Sequence, residues 1–324
     1  MMAMVALDEL LASARVATLP MRVKFRGVLE REVVLLEGPA GWAEFSPFVE
    51  YDDAESARWL ASAVEAGWVG YPVPVREWIP VNATVPAVSA AEVPAVLGAF
   101  DAVHTVKVKV AEAGQTLGDD AARVGAVRHL LPDARIRVDA NGGWDVEQAV
   151  RALTVLSVFG LEYAEQPAAS VADMAAVRRA LSGSVLIAAD ESVRKAADPL
   201  AVARAGAADL LVVKAAPLGG VRQALEIVAE AGLPAVVSSA LDSSVGIRTG
   251  LALAAALPEL PYACGLGTVS LMGGDVVPDS LVAVAGGIAV RDVTADPELL
   301  DRFAATADRR DWWLERLRRC HALL

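Results

Sequence analysis

The sequence is poor in the groups that make soft-metal and disulfide chemistry. Cys264 and Cys320 are its only cysteines, and His104, His129 and His321 its only histidines. Two thiols cannot build a disulfide scaffold or a cysteine-rich zinc site. No two histidines have helical ligand spacing, so a histidine-held zinc or iron is not expected. Positive charge is also in deficit, with 29 Lys and Arg against 41 Asp and Glu and a net charge of −12. A general nucleic-acid binder carries a basic face. The one basic cluster, residues 309–319 (RRDWWLERLRR), has the Trp and Leu spacing of an ordinary amphipathic helix. No apolar run reaches the ~18 residues of a membrane span, and the longest, Leu251–Leu257, stops at Pro258 and Glu259. The start, MMAMVALDELLASARV, contains acids and no long apolar segment, so no secretory leader is expected. These absences predict a cytoplasmic protein with reduced thiols and with no nucleic-acid or membrane partner; its oligomeric state is left open.

What is present is apolar material in quantity. Hydrophobic residues make up 55% of the 324 and charged residues 22%, enough for a large core and too apolar for disorder. The first 85 residues read as a small α+β unit. Met21–Phe25 and Glu32–Leu36 are strand-like, a glycine-punctuated segment follows, and Asp53–Ala66 has helical periodicity with Ala57, Leu60, Ala61 and Val64 on one face. From Pro80 a repeat sets in, with short apolar runs alternating with Ala-rich helical stretches. The runs are Val81–Val85, Thr105–Val110, Ile136–Ala140, Leu161–Glu165, Val185–Asp190, Leu210–Lys214, Ala235–Ser239 and Tyr262–Gly265. The period is about 25 residues, the length of one strand, one helix and two loops. Near-continuous apolar strands separated by helices form a parallel sheet covered on both faces. Eight of them predict a closed barrel rather than an open doubly wound sheet. No glycine-rich phosphate loop follows the first strand, which counts against a dinucleotide fold. The expected division is residues 1–85 as a capping domain, 86–285 as the barrel, and 286–324 as a tail packing back on the cap.

The chemistry lies in where charge interrupts this pattern. Five consecutive apolar strands end in Lys109, Asp139, Glu165, Asp190 and Lys214. In a barrel the C-terminal strand ends form the active-site face, so the five should meet at one mouth. An acid at one strand end is ordinarily a helix N-cap or a solvated loop residue. Three in matching register, Asp139, Glu165 and Asp190, would repel strongly unless a cation neutralises them. All-oxygen ligation from three strands suits a hard divalent ion, Mg²⁺ or Mn²⁺. Glu191 and Glu162 have the opposite strand parity and are expected to point away. Lys107 and Lys109 share a face. An isolated pair of lysines reads as a solvated strand edge, but a lysine within an apolar strand is costly to bury without purpose. Its like-charged neighbour should lower its pKa toward that of a general base. Lys214 stands on the other side of the proposed ion. Together these groups can ionise a carbon acid beside a carboxylate: the ion and one lysine stabilise the enolate while another lysine removes the proton.

The set Lys107-Val-Lys109, Asp139-Ala-Asn141, Glu165-Gln-Pro167, Ala189-Asp190-Glu191-Ser192 and Lys214 in VVKAAPLGG resembles the enolase superfamily, in particular its muconate-lactonizing subgroup. The resemblance spans essentially the whole chain. It implies an α/β fold, a (β/α)7β TIM-like barrel with an α+β capping domain built from the N-terminal segment and the C-terminal tail. Segments MRVKFRG, GWAEFSPFVEYD and SSALDSSVG (Ser238–Gly246) are similar to the dehydratases of menaquinone biosynthesis within that subgroup. That likeness implies a small-molecule carboxylate substrate, 2-succinyl-6-hydroxy-2,4-cyclohexadiene-1-carboxylate. It implies Mg²⁺ held by Asp139, Glu165 and Asp190. Lys109 would take the α-proton and then protonate the departing hydroxyl from the same face. Lys214 would stabilise the enediolate, Lys107 and Asn141 would assist, and Ser239, Arg26 and Phe48 would contact substrate.

Other readings stay open at this point. N-succinylamino acid racemases share both lysines. Dipeptide epimerases carry an Asp-x-Asp pair at the eighth strand, where this chain has the acid-free CGLGTVSL (Cys264–Leu271). A class I aldolase would use Lys214 as a Schiff base, with no need for the carboxylates. A metal-binding barrel scaffold without activity would make the lysines incidental.

Overall fold

Runs of valine, isoleucine and alanine supply the strands of the two larger of three sheets. The computed structural model describes residues 5–25, 27–195 and 198–324. The first sheet is antiparallel: β1 (Arg15–Phe25), β2 (Val28–Gly38) and β3 (Gly41–Phe45) in that order. A two-residue turn joins β2 to β3, and Gly41 there has φ 133°, a conformation open to glycine. The helix Asp53–Val64 covers this sheet, started by Asp52, whose carboxylate accepts from the Glu55 N–H at 2.7 Å. It ends two residues short of the sequence expectation, in a wider turn over Glu65–Val69.

The second sheet is parallel and seven-stranded. Its members are β5 (Ala83–Val85), β6 (Thr105–Lys109), β7 (Arg135–Asp139), β8 (Leu161–Glu165), β9 (Ile187–Ala189), β10 (Leu210–Val213) and β11 (Ala235–Val237), lying side by side in sequence order. The eighth expected run, Tyr262–Gly265, forms no strand. It closes the ring through two parallel bridges, Cys264 to Val81 and Gly265 to Ser238. Backbone bonds Asn82 N to Cys264 O (2.9 Å) and Gly265 N to Val237 O (2.7 Å) make the seam. Outward-facing Val106, Val108, Ile136, Val138 and Leu211 pack under the amphipathic helices between strands, such as Val146–Leu156. Between β9 and β10 the described residues form two four-residue helices, Glu191–Arg194 and Ala201–Arg204.

β4 (Trp78–Pro80), directly before β5, pairs antiparallel with β12 (Gly287–Ala289). The helix Ala307–His321 crosses to the other unit and packs on Asp53–Val64, where buried Arg316 donates to the Phe48 and Tyr51 carbonyls at 3.0 and 2.5 Å. Among the described residues, no helix is long and apolar enough to cross a membrane.

Candidate active site

Side-chain alternation along the parallel strands decides what faces the barrel interior. Lys107, Arg137 and Tyr163 lie in one cross-strand row, and Lys109, Asp139 and Glu165 in the next row toward the C-terminal ends. Glu165 pairs with Ala188, so Asp190 continues the same face just past the end of β9. Lys214 follows the last residue of β10 in the same manner.

These side chains meet. Lys109 Nζ makes a short contact with Asp139 and donates to Asn141 Oδ1 at 2.7 Å. Lys107 Nζ reaches both Glu165 oxygens (3.2 and 3.3 Å) and Asp139 (3.4 Å). Lys214 Nζ donates to Asp190 at 2.6 Å. The other Asp190 oxygen accepts from Arg194 Nε at 2.9 Å. Arg194 also binds Glu191 (2.7 Å), which in turn accepts from Asn141 Nδ2 (3.1 Å). A continuous polar chain thus runs from Lys109 through Asn141, Glu191, Arg194 and Asp190 to Lys214. Arg194 further donates to the Tyr51 hydroxyl at 3.2 Å, linking the chain to the N-terminal unit.

The four carboxylates Asp139, Glu165, Asp190 and Glu191 are matched by four cations, Lys107, Lys109, Lys214 and Arg194. Asp139, Glu165 and Asp190 are each only 1% exposed. Burial raises all three carboxyls. For Asp139 the charges of Lys109 and Lys107 outweigh it, and for Asp190 those of Arg194 and Lys214, so both lie below the usual range. Glu165 stays raised, to about 7, by burial and the neighbouring Asp139. Lys214 is lowered chiefly by burial. For Lys107 burial lowers the pKa, but Glu165 and Asp139 more than compensate, and it is raised.

As donors, three buried carboxylates on adjacent strand ends fit a hard divalent cation. One amine, that of Lys107, already touches two of them. In this structure the oxygens are engaged by lysine and arginine. Among the described residues no three Asp, Glu, His or Cys side chains are drawn together tightly enough to coordinate an ion as they stand.

A chamber of about 40 Å³ lies over these groups, walled by Phe25, Phe48 and Trp59 from the N-terminal unit and by Thr84, Ser239 and Thr268 from the barrel. That is room for a few waters, so a ring-sized acid enters only when a wall side chain moves. An outer cleft of about 490 Å³ shares Phe25, Lys109 and Asn141 with it. Lys109 Nζ sits 5.5 Å from the Phe25 ring centre.

Of the residues named from the sequence, Lys107, Lys109, Asp139, Asn141, Glu165, Asp190 and Lys214 come together. Ser239 lines the chamber, donating to Gly265 O at 2.8 Å and standing 2.9 Å from the Thr268 hydroxyl. Phe48, 4% exposed, lines it as well. Arg26 lies outside the described residues. Glu191 does not point away as parity suggested, because the Asp190 backbone (φ −112°, ψ −76°) has already left the extended conformation. Arg194, Phe25, Trp59, Thr84 and Thr268 were not singled out from the sequence. Arg194 carried a usable signal, standing one helical turn after Asp190; the aromatic walls carried none.

Residues 90–295 match the family described as enolase C-terminal domain-like, and residues 16–67 the one described as enolase N-terminal domain-like. The chain is 55% identical over 320 residues to an o-succinylbenzoate synthase of Mycolicibacterium smegmatis, covering 98% of both chains. It is 54% identical to one of Mycobacterium ulcerans, covering 98% of this chain and 96% of that one. The chain belongs to the o-succinylbenzoate synthase family of the enolase superfamily. Among solved structures, the muconate lactonizing enzyme from Pseudomonas putida superposes with a TM-score of 0.74 at 20% identity, over 90% of this chain and 98% of that one. The 2-chloromuconate cycloisomerase from Rhodococcus opacus gives 0.75 at 22% identity, over 90% and 98%. At that distance the two structures speak for the fold, and the resemblance first read from the lysine and carboxylate motifs holds for fold and family.

Proposed function

We propose that the chain dehydrates 2-succinyl-6-hydroxy-2,4-cyclohexadiene-1-carboxylate to 2-succinylbenzoate, the menaquinone-pathway reaction, in the cytoplasm. The observation that carries the mechanism is the placement of Lys109 and Lys214 across the carboxylate row, each buried and each tied to a different acid. Lys109 is the base for the ring proton beside the carboxylate. It keeps that proton and returns it to the departing hydroxyl on the same face, so one amine serves both halves of a syn elimination. Asn141 gives the Lys109 amine a second acceptor beside Asp139. Lys214 presents its ammonium to the negative charge that develops on the carboxylate. Asp139, Glu165 and Asp190 would hold Mg²⁺ or Mn²⁺. When bound, such an ion stabilises that same developing charge. Lys107 favours the ionised form of Glu165 against burial and Asp139.

Phe25, Phe48 and Trp59 exclude water from the ring.

The test is an assay of the cyclohexadiene acid with Mg²⁺ and with EDTA. We expect dehydration that EDTA abolishes and Mg²⁺ restores; turnover in the stripped protein would remove the metal assignment. Lys109→Ala and Lys214→Ala should each lose about 10³-fold or more in kcat with an unchanged fold, and near-native rates in either would remove its role. N-succinyl amino acids belong in the same assay, because two lysines on opposite faces would also serve a racemase. Proton exchange there would add a second activity.

A further inference from the structure

The loop after β11, residues 238–242, forms one wall of the chamber through Ser239, Ala240 and Leu241. Leu241 has φ 62°, a left-handed conformation unfavourable for a leucine, so something must hold it there. Two buried charged residues of the N-terminal sheet flank it. Arg31 on β2 donates through Nε to the Leu241 carbonyl at 3.2 Å and makes a short contact with the Ser46 carbonyl. Glu44 on β3, 6% exposed, takes hold just beyond, at the first turn of the helix Ser244–Ala256. One of its oxygens accepts from the Ser243 N–H (3.1 Å), the Gly246 N–H (3.2 Å) and, in a short contact, the Ser243 hydroxyl. The other accepts from the Ser46 hydroxyl at 2.6 Å. The approach is so close that a Cβ on Gly246 would stand 2.9 Å from the Glu44 carboxyl carbon and 2.6 Å from the Asp242 Cβ.

A carboxylate is a costly choice for this place. Burial and the adjacent Asp242 push Glu44 up to about 7, against the pull of Ser243, Ser46 and Arg31. The same helix start already has a second acid: Asp275 accepts from the Ser244 N–H at 3.2 Å and from its hydroxyl. Asp275 bonds to Ser244, whereas Glu44 grips Ser243, the residue that directly follows the loop.

We infer that Glu44 is a positioning residue for substrate binding: from the N-terminal sheet it fixes the 238–242 wall of the chamber. This rests on the function proposed above. It makes substrate affinity depend on a residue that never touches substrate, through a loop belonging to the other unit. A group acting only on binding raises KM and leaves kcat nearly unchanged.

The experiment compares Glu44→Gln, Ser243→Ala and Asp275→Asn in the full chain with Mg²⁺. It measures kcat, KM and Tm, together with the calorimetric Kd for o-succinylbenzoate. We expect Glu44→Gln to raise KM and Kd about tenfold with kcat within about threefold, and Ser243→Ala to raise them about threefold. Asp275→Asn should lower Tm while KM and Kd stay within about twofold of the parent. Unchanged KM and Kd in Glu44→Gln, or an equal rise in Asp275→Asn, would reduce Glu44 to a structural cap and overturn the inference. If Glu44→Gln does not fold, Ser243→Ala decides alone by the same measure. A parent protein that binds o-succinylbenzoate but dehydrates nothing would count against the proposed reaction, and the Kd comparison would still judge Glu44.

Discussion

Lys107 and Lys109 are two residues apart on one strand, yet their partners divide them. Lys109 shares its amine between Asp139 and Asn141, at the edge of the chamber. Lys107, deeper, is the counter-ion of Glu165 and a second neighbour of Asp139. Replacing Lys107 by methionine would leave Glu165 buried beside another acid. Removing one partner of a buried pair costs about 3–5 kcal/mol, so we expect metal-free Lys107→Met to lose about 3 kcal/mol in urea unfolding. Mg²⁺ should stabilise this variant more than the parent. Equal stability of the two metal-free proteins would show that Lys107 is not the counter-ion. At this scale the sequence disclosed which residues meet, because strand parity is local. It did not disclose the Lys107 pKa, because the acids that raise it come from β7 and β8 and only the neighbouring lysine is visible along the chain.

At the scale of the element, β8 explains why Glu162 also escaped its expected direction. Ile136 pairs with Leu161, but Arg137 pairs with Tyr163, so one residue of β8 is inserted between them. A bulge of this kind re-aims the inserted side chain. Glu162 therefore reaches Arg137 Nε at 2.5 Å and Arg135 at 3.0 Å. Arg137 is fully buried, stacked 4.7 Å from the Tyr163 ring centre and bonded to Ala263 O at 2.6 Å. We expect Glu162→Ala to cost about 3 kcal/mol by denaturant unfolding, since it orphans a buried guanidinium. The Lys109 and Lys214 contacts lie in other rows, so kcat per folded molecule should hold; a large fall in kcat would mean that this lower layer also sets the lysines. Apolar periodicity predicted the seven parallel strands well. It could not foresee a bulge, nor that Tyr262–Gly265 would close the ring with two bridges. At that seam Gly265 approaches Ser238 so nearly that a Cβ would stand 2.5 Å from the serine oxygen, and so short a pairing leaves no periodic trace.

Across the whole molecule, the two largest of three hydrophobic clusters are held together by side chains at their boundary. The N-terminal core includes Leu35, Phe45 and Trp59, but also Trp313 and Leu317 from the last helix, so the chain's two ends complete one core. That helix is anchored by Glu32 on β2, which accepts from Arg309 at 2.7 and 2.6 Å and from the Trp313 indole at 3.0 Å. Burial alone would raise the Glu32 carboxyl. The hydrogen bonds from Arg309 and Trp313, with the Arg309 charge, outweigh it, and its pKa lies below the ordinary 4.5. The folded state therefore holds this proton less tightly than the unfolded chain does. Its contribution to stability is complete above 4.5 and is lost as the pH falls through the lowered folded value. Glu32→Gln should reduce Tm by about 1–2 °C at pH 7, as expected for a partly exposed pair, and the two melting curves should converge as the pH falls below the lowered folded value. A gap that persisted undiminished in acid would mean that packing of Trp313, and not the Glu32 charge, fastens the last helix to the sheet whose β2 and β3 carry Arg31 and Glu44.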